Sequence, residues 1–284
     1  MDAKPFIEAL DPPVIVAHRG ASAEFPGNTM EAFTRALEVG PDVMLELDIW
    51  PTRDGEIVVF HDDLLELATD GFGRIPDYHL DDILRLDAGY NFTQDGGQTL
   101  PFRGKGTRIL RFHEFLKAFP ESLFSVDLKF NNRAFAEKAM ELMKSHRALE
   151  RVVVGSFIDP MTAYVRRNWP GVATSFGKRE IINFLGLHLL GMAGLGRWKG
   201  DLLMVPEFTD TSRPEYLGPG QRQGMRVVTR RFVTRAHSLG IPVMVWTVNR
   251  PENMKRLLEM GVQGIVTDDP ALCKEIINTT VIIP

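Results

Sequence analysis

Cysteine is nearly missing: Cys273 is the only one in 284 residues. One thiol makes neither an intramolecular disulfide nor a thiolate metal cluster, which excludes a cystine-stapled fold and a zinc ribbon. An excess of either charge is missing too, with 33 basic against 37 acidic residues and a formal net charge of −4. Without a basic tract or an aromatic stacking stripe, no nucleic-acid partner is expected. No long apolar run is present either. A bilayer-crossing helix needs about 20 largely apolar residues. Ile181 to Gly196, within IINFLGLHLLGMAGLGRW, falls short of that, holds His188 and is broken by four glycines. The opening MDAKPFIEAL has no basic segment leading into an apolar one, so no secretory signal is expected and the expected location is cytoplasmic or peripheral to a membrane.

What is present suffices for a large core, since hydrophobic residues make up 44% of the chain. Short runs rich in Val, Ile, Leu, Met and Phe recur at 14–17, 43–49, 57–60, 123–129, 152–156, 172–175, 202–205, 243–247 and 264–267. Helical periodicity fills many of the gaps, at 30–39, 112–119, 133–146, 160–168, 227–239 and 252–260. Alternation of this kind predicts βα units and a parallel sheet. Ile49 and Ile57 are separated only by WPTRDGE, too short for a parallel crossover, so these two strands form a hairpin. Eight parallel strands remain, the number in an α/β TIM (β/α)8 barrel, whose active site lies at the carboxyl ends of the strands. Residues from about 62 to 107 lose the alternation and are read as an insertion on that face of one domain spanning 1–284.

The strand ends concentrate charge. Strand one runs out in His18-Arg19, strand two carries Glu46 and Asp48 on one face, and the hairpin return leads into His61. Strand three carries Asp127 and Lys129; strand seven ends near Trp246 and Asn249, and strand eight in Asp268-Asp269. Acids inside a barrel are costly unless paired or bound to a cation. Glu46, Asp48 and Asp127 form an all-oxygen set suited to Mg²⁺ or Ca²⁺. Arg19 and Lys129 supply the charge a phosphate needs, and His18 and His61 titrate near neutrality, as an acid–base pair must.

These residues carry a resemblance. His18-Arg19-Gly20, PGNT at 26–29, Glu46-Leu47-Asp48, Thr52, Asp54-Gly55 and Val58-Val59-Phe60-His61-Asp62 are similar, in order and spacing, to the glycerophosphodiester phosphodiesterase family. Asp127-Leu128-Lys129, Ser156-Phe157, Trp246-Thr247-Val248-Asn249 and Thr267-Asp268-Asp269-Pro270 extend the likeness to nearly the whole chain. It implies a TIM barrel and metal-dependent hydrolysis of a phosphodiester to an alcohol and a phosphomonoester. His18 and His61 are then the acid–base pair, Glu46, Asp48 and Asp127 the metal ligands, and Arg19 and Lys129 the phosphate contacts. Trp246 walls the glycerol end, with Asn249 also lining the substrate.

Three departures stand out. The family has Glu where Gly27 stands, Glu where Asp127 stands, and Asp-Arg-Thr where this chain reads Glu66-Leu67-Ala68. Asp127 with Asn131-Asn132, and the apolar 181–196 run ahead of Val205-Pro206-Glu207, resemble the lysophospholipase D branch. The expected substrate is accordingly a glycerophosphodiester or a lysophospholipid, with residues 181–200 either packed as a plain helix or in contact with lipid. A phospholipase C-like barrel and a non-catalytic phosphodiester-binding barrel remain as alternatives. His79, His113, His146 and His237 read as surface or packing residues, and His188 stays undecided. Arg166-Arg167, Lys178-Arg179 and Arg230-Arg231 read as solvated faces or, beside a membrane, headgroup contacts.

Overall fold

The structure is a computed structural model that describes residues 4–209 and 224–280. Its strands are β1 (Val14–His18), β2 (Met44–Pro51), β3 (Ile57–Val59), β4 (Leu110–Arg111), β5 (Phe124–Leu128), β6 (Val152–Gly155), β7 (Ala173–Thr174), β8 (Leu203–Pro206), β9 (Val243–Trp246) and β10 (Gly264–Thr267). The helices are α1 (Pro5–Glu8), α2 (Met30–Val39), α3 (Leu80–Ile83), α4 (Phe112–Ala118), α5 (Arg133–Ser145), α6 (Asp159–Asn168), α7 (Lys178–Leu189), α8 (Arg230–His237), α9 (Pro251–Glu259) and α10 (Pro270–Thr279).

Eight strands run parallel in the order β7-β6-β5-β2-β1-β10-β9-β8. Ser175 and Leu202, just beyond β7 and just before β8, join the two ends in a parallel bridge. There Phe176 N donates to Leu202 O at 3.0 Å. The sheet is thus a closed TIM barrel, as the alternation predicts. β3 folds back antiparallel on β2, with Ile49 opposite Val59, which is the expected hairpin. β4 was not predicted: two residues, Leu110 and Arg111, pair with β3 and are too few to leave a pattern. Between β3 and β4 the chain makes two 3-10 turns, Leu65–Leu67 and Ile75–Asp77, and the one-turn α3.

The two-residue strand period separates two kinds of core. Ala17, Leu45, Leu47, Phe124, Val126, Val154, Val205, Val245 and Ile265 face outward and pack under the helices. Val14, Val16, Met44, Val153, Ala173, Leu202, Met244 and Val266 face inward at the amino end of the barrel, where Phe6 of α1 plugs them. Further along the same inward rows stand His18, Glu46, Asp48, Ser125, Asp127 and Trp246. The barrel is therefore a dry plug below and a polar basin above.

Caps set where the chain turns into its helices. Thr29 Oγ1 accepts from Ala32 N at 3.3 Å at the start of α2, and Asn132 Oδ1 accepts from Phe135 N at 3.1 Å at the start of α5. Each cap contributes about 1 kcal/mol. Gly20, at φ +84°, lets the loop after β1 lie against α2: a Cβ there would come 2.5 Å from the backbone of Ala32.

Candidate active site

A cavity of about 190 Å³ opens at the carboxyl ends of the strands, and His18, Arg19, Glu46, Asp48, His61, Asp127, Lys129 and Trp246 all line it. Its polar wall follows from register. His18 is level with Glu46 across β1 and β2, and Asp48 is level with Asp127 across β2 and β5.

His18 is held from behind. Asp268, just beyond β10, accepts at Oδ1 from His18 Nδ1 at 2.6 Å. Ser22 Oγ also donates to that oxygen at 2.9 Å, while Asn249 Nδ2 donates to Oδ2 at 2.6 Å. Burial lowers the His18 pKa, against the pull of the Asp268 bond. Burial acts to raise Asp268, but the bonds from His18, Asn249 and Ser22 hold its carboxyl well below the ordinary range. With Nδ1 donating, Nε2 is the nitrogen left for proton exchange. His61 repeats the arrangement: its Nδ1 lies 2.9 Å from Asp62 Oδ1, and its carbonyl accepts from Trp50 Nε1 at 3.2 Å.

Arg19 and Asn28 both adopt left-handed backbone, at φ +60° and +62°, a costly conformation that recurs at functional sites. The turn lets Arg19 N donate to Glu46 Oε2 at 3.0 Å. It also lets Asn28 Nδ2 donate to Asp48 Oδ2 at 3.0 Å. Arg19 Nε, 3.5 Å from Asp48 Oδ2, is buried without a hydrogen-bond partner.

Lys129 Nζ spans two acids, 2.9 Å from Asp48 Oδ1 and 2.7 Å from Asp127 Oδ2. Burial opposes its charge, yet the two carboxylates raise its pKa above that of an ordinary lysine. Burial likewise works to raise Asp48, but Lys129 and Arg19 hold it far below the usual carboxylate range. Glu46 goes the other way: burial and the Asp48 charge push it well up. Burial also raises Asp127, whose Oδ1 is buried without a partner.

The donor chemistry fits a hard divalent cation. The three acids offer only oxygen, and one of their buried oxygens is unpaired. Lys129 pairs with Asp48 and Asp127. Among the described residues, no three acidic, histidine or cysteine side chains are drawn close enough to form a ready-made metal cage.

Two residues fill places the sequence left blank. Asp268 was legible only as a strand-end acid without a partner, and Asn28 only as part of PGNT. Asn249 lies outside this cavity. It lines an adjoining one and reaches the site through Asp268. Trp246 does line the catalytic cavity and meets Phe157 edge-on, ring centroids 5.9 Å apart. Among the remaining histidines, His188 is buried against Phe232, His237 binds Gln263 at 2.8 Å, and His113 and His146 face each other at 3.0 Å.

A sequence model described as the glycerophosphoryl diester phosphodiesterase family matches residues 18–189 and 197–272. A glycerophosphodiester phosphodiesterase of Caldanaerobacter subterraneus subsp. tengcongensis is 30% identical, over 90% of this chain and 94% of its own. The lysophospholipase D GDPD1 of Rattus norvegicus is 26% identical, over 93% of this chain and 85% of its own. Among solved structures, the glycerophosphoryl diester phosphodiesterase domain of a Mycobacterium tuberculosis protein superposes with a TM-score of 0.78 at 23% identity, covering 93% of this chain and 99% of that one.

Proposed function

The chain belongs to the glycerophosphoryl diester phosphodiesterase family, and on that premise we propose that it hydrolyses glycerophosphodiesters, lysophospholipids among them, using His18 and His61 and a divalent cation, Mg²⁺ or Ca²⁺. The broader statement is settled: the protein is a phosphoric diester hydrolase. The observation that carries the finer reading is the single cavity lined by His18 and His61, by Arg19 and Lys129, and by all three acids, with Lys178 as a further cation on its wall.

In this reading Arg19 and Lys129 face the phosphate and offset its charge as the transition state develops. One histidine takes a proton from the attacking hydroxyl, of water or of the substrate itself, as the new P–O bond forms. The other gives a proton to the departing alcohol oxygen as its P–O bond breaks. Glu46, Asp48 and Asp127 would hold the cation, which when bound draws charge from the phosphate oxygens.

The lysophospholipid part rests on the apolar flank. Phe176, Ile181, Met204 and Trp246 line the same cavity. From Ile181 the α7 segment leads to Leu190 and Leu195, which are 72% and 73% exposed. An apolar ridge leading away from a catalytic cavity suits an acyl chain and a membrane surface, so residues 181–200 are assigned the peripheral contact. No helix among the described residues is long and apolar enough to cross a membrane.

The test is turnover of lysophosphatidylcholine and glycerophosphocholine in Mg²⁺, Ca²⁺ and EDTA, with a His18→Ala control. Choline and a phosphomonoester are the expected products, lost in EDTA and in the variant. Full activity in EDTA would favour the phospholipase C-like reading, and background release unchanged by His18→Ala would favour a non-catalytic binder. Clear preference for the water-soluble diester would remove the lipid part alone.

A further inference from the structure

A second cavity, of about 590 Å³, adjoins the catalytic one, and Arg19 lines both. Its walls come from three places. Ser22, Ala23, Pro26 and Gly27 of the turn after β1 form one, and Leu67, Ala68, Ala88, Asn91, Phe92 and Thr93 of the insertion form another. Asn249, beyond β9, with Asp268 and Asp269, beyond β10, closes it on the third side. The cavity thus lies on the Asp268 side of His18, whereas the apolar flank formed by Ile181, Met204 and Trp246 belongs to the catalytic cavity alone.

Gly27 governs the junction. A Cβ at this position would meet the Arg19 side chain, 3.1 Å from Cβ and 3.5 Å from Cδ. Any longer side chain at 27 would therefore lean on the arginine stem or project into the second cavity. Glycine leaves both free, and its φ is not in the left-handed region, so nothing in the backbone demands glycine here. The chemistry of the walls is directional. Arg19 stands at the shared end, where a phosphate is held. Asp269, whose Oδ1 accepts from Leu272 N at 2.9 Å at the start of α10, lies with Phe92 and Leu67 among the remaining walls, and together they offer a negative charge with aromatic and aliphatic surface, the combination that binds a quaternary ammonium.

We propose that this second cavity seats the alcohol released from the diester, a quaternary-ammonium alcohol of choline type, and that Gly27 of the turn after β1 and Ala68 of the insertion set the room available to it. The inference rests on the phosphodiesterase reading and adds a division of the substrate across Arg19: glycerol, with any acyl chain, on the Trp246 side, and headgroup on the Asp269 side.

Three esters of sn-glycerol 3-phosphate test it: the choline ester, its uncharged 3,3-dimethylbutyl isostere and the methyl ester. In the wild type the choline ester is expected to exceed the isostere in kcat/KM by about threefold or more. Gly27→Leu and Ala68→Phe narrow the cavity from two different segments, and only position 27 leans on the Arg19 side chain. Each is expected to lower the choline-to-methyl ratio of kcat/KM by about tenfold, mainly through KM, and unchanged thermal melting excludes misfolding as the cause. A ratio unmoved in both variants, or moved by Gly27→Leu alone, overturns the inference, since the effect then runs through Arg19 and not through space. A wild type inactive on all three esters removes the phosphodiesterase reading instead, so the two failures are distinct.

Discussion

Asp268 and His18 are 250 residues apart in sequence, yet Oδ1 of one lies 2.6 Å from Nδ1 of the other. The barrel makes this contact because β10 pairs with β1, Thr267 level with Ala17, so the next residue on each strand meets its counterpart at the rim. Ser22 and Asn249 fix the carboxylate in turn. A buried imidazole with one tautomer enforced by a carboxylate is prepared for proton exchange at the other nitrogen.

Asp268→Asn should therefore cost about 10²-fold or more in kcat, with little change in KM. Its effect on pH dependence has a definite sign. Burial lowers the His18 pKa, while the Asp268 bond and charge raise it. Removing that charge leaves burial and Arg19 opposed only by Asp48, and the limb of the kcat/KM profile that belongs to His18 should move to lower pH. A profile displaced upward would contradict the assigned orientation.

Lys129 stands between Asp48 and Asp127 at 2.9 and 2.7 Å, so a divalent cation held by these acids would share their oxygens with the ammonium. Lys129→Met should lower kcat/KM by about 10²-fold through loss of a phosphate contact. Saturating Mg²⁺ or Ca²⁺ should stabilise the wild type by about 2.7 kcal/mol at a hundredfold excess over Kd. The rise in Tm should be larger in Lys129→Met, where Asp48 and Asp127 are freed, and smaller in Asp127→Asn. Thermal scans with each ion against EDTA read this directly, and equal shifts in all three proteins would remove Asp127 from the ligand set.

How much of this the sequence discloses depends on the distance over which each feature is encoded. The strands 14–18, 44–51 and 124–128 are legible because inward and outward rows alternate within a few residues, and that alternation also puts Glu46 beside Asp48 on one face. Thr229 is legible as a helix start only with the structure in hand: it caps α8, so the helix begins at Arg230 and not at Val227. Asp268, Asn28 and Asn249 have partners 250, 20 and 19 residues away. No local period records such pairings, so their roles emerge only once the barrel closes. The second cavity is hidden for the same reason, being assembled from the ends of β1, β9 and β10 and from the insertion.

Leu190 and Leu195 are both largely exposed, at the end of α7 and in the turn that follows. Leu190→Asp with Leu195→Asp should leave folding stability within about 0.5 kcal/mol, as surface changes do. Binding to lysophosphatidylcholine-containing vesicles should fall several-fold, while turnover of glycerophosphocholine holds. Vesicle sedimentation and the two turnover rates, measured side by side, decide it. Parallel loss on both substrates would assign this segment to packing instead.

Cys273 faces the core from α10 and is fully buried. Burial, with the nearby Asp269 carboxylate, pushes its thiol up to about 12 from the usual 9. A folded-state pKa above the unfolded value means that the unfolded chain loses this proton first as pH rises. The native state should then lose stability above about pH 9, at up to about 1.4 kcal/mol per pH unit. Urea midpoints at pH 7, 9 and 10 should show a drop that is shallower in Cys273→Ala, although that variant is less stable throughout from lost packing. The same burial makes the native thiol inert to disulfide reagents at pH 8, so its labelling rate should follow the population of opened molecules as urea is added. Fast labelling in the absence of denaturant would mean that α10 opens independently of the barrel.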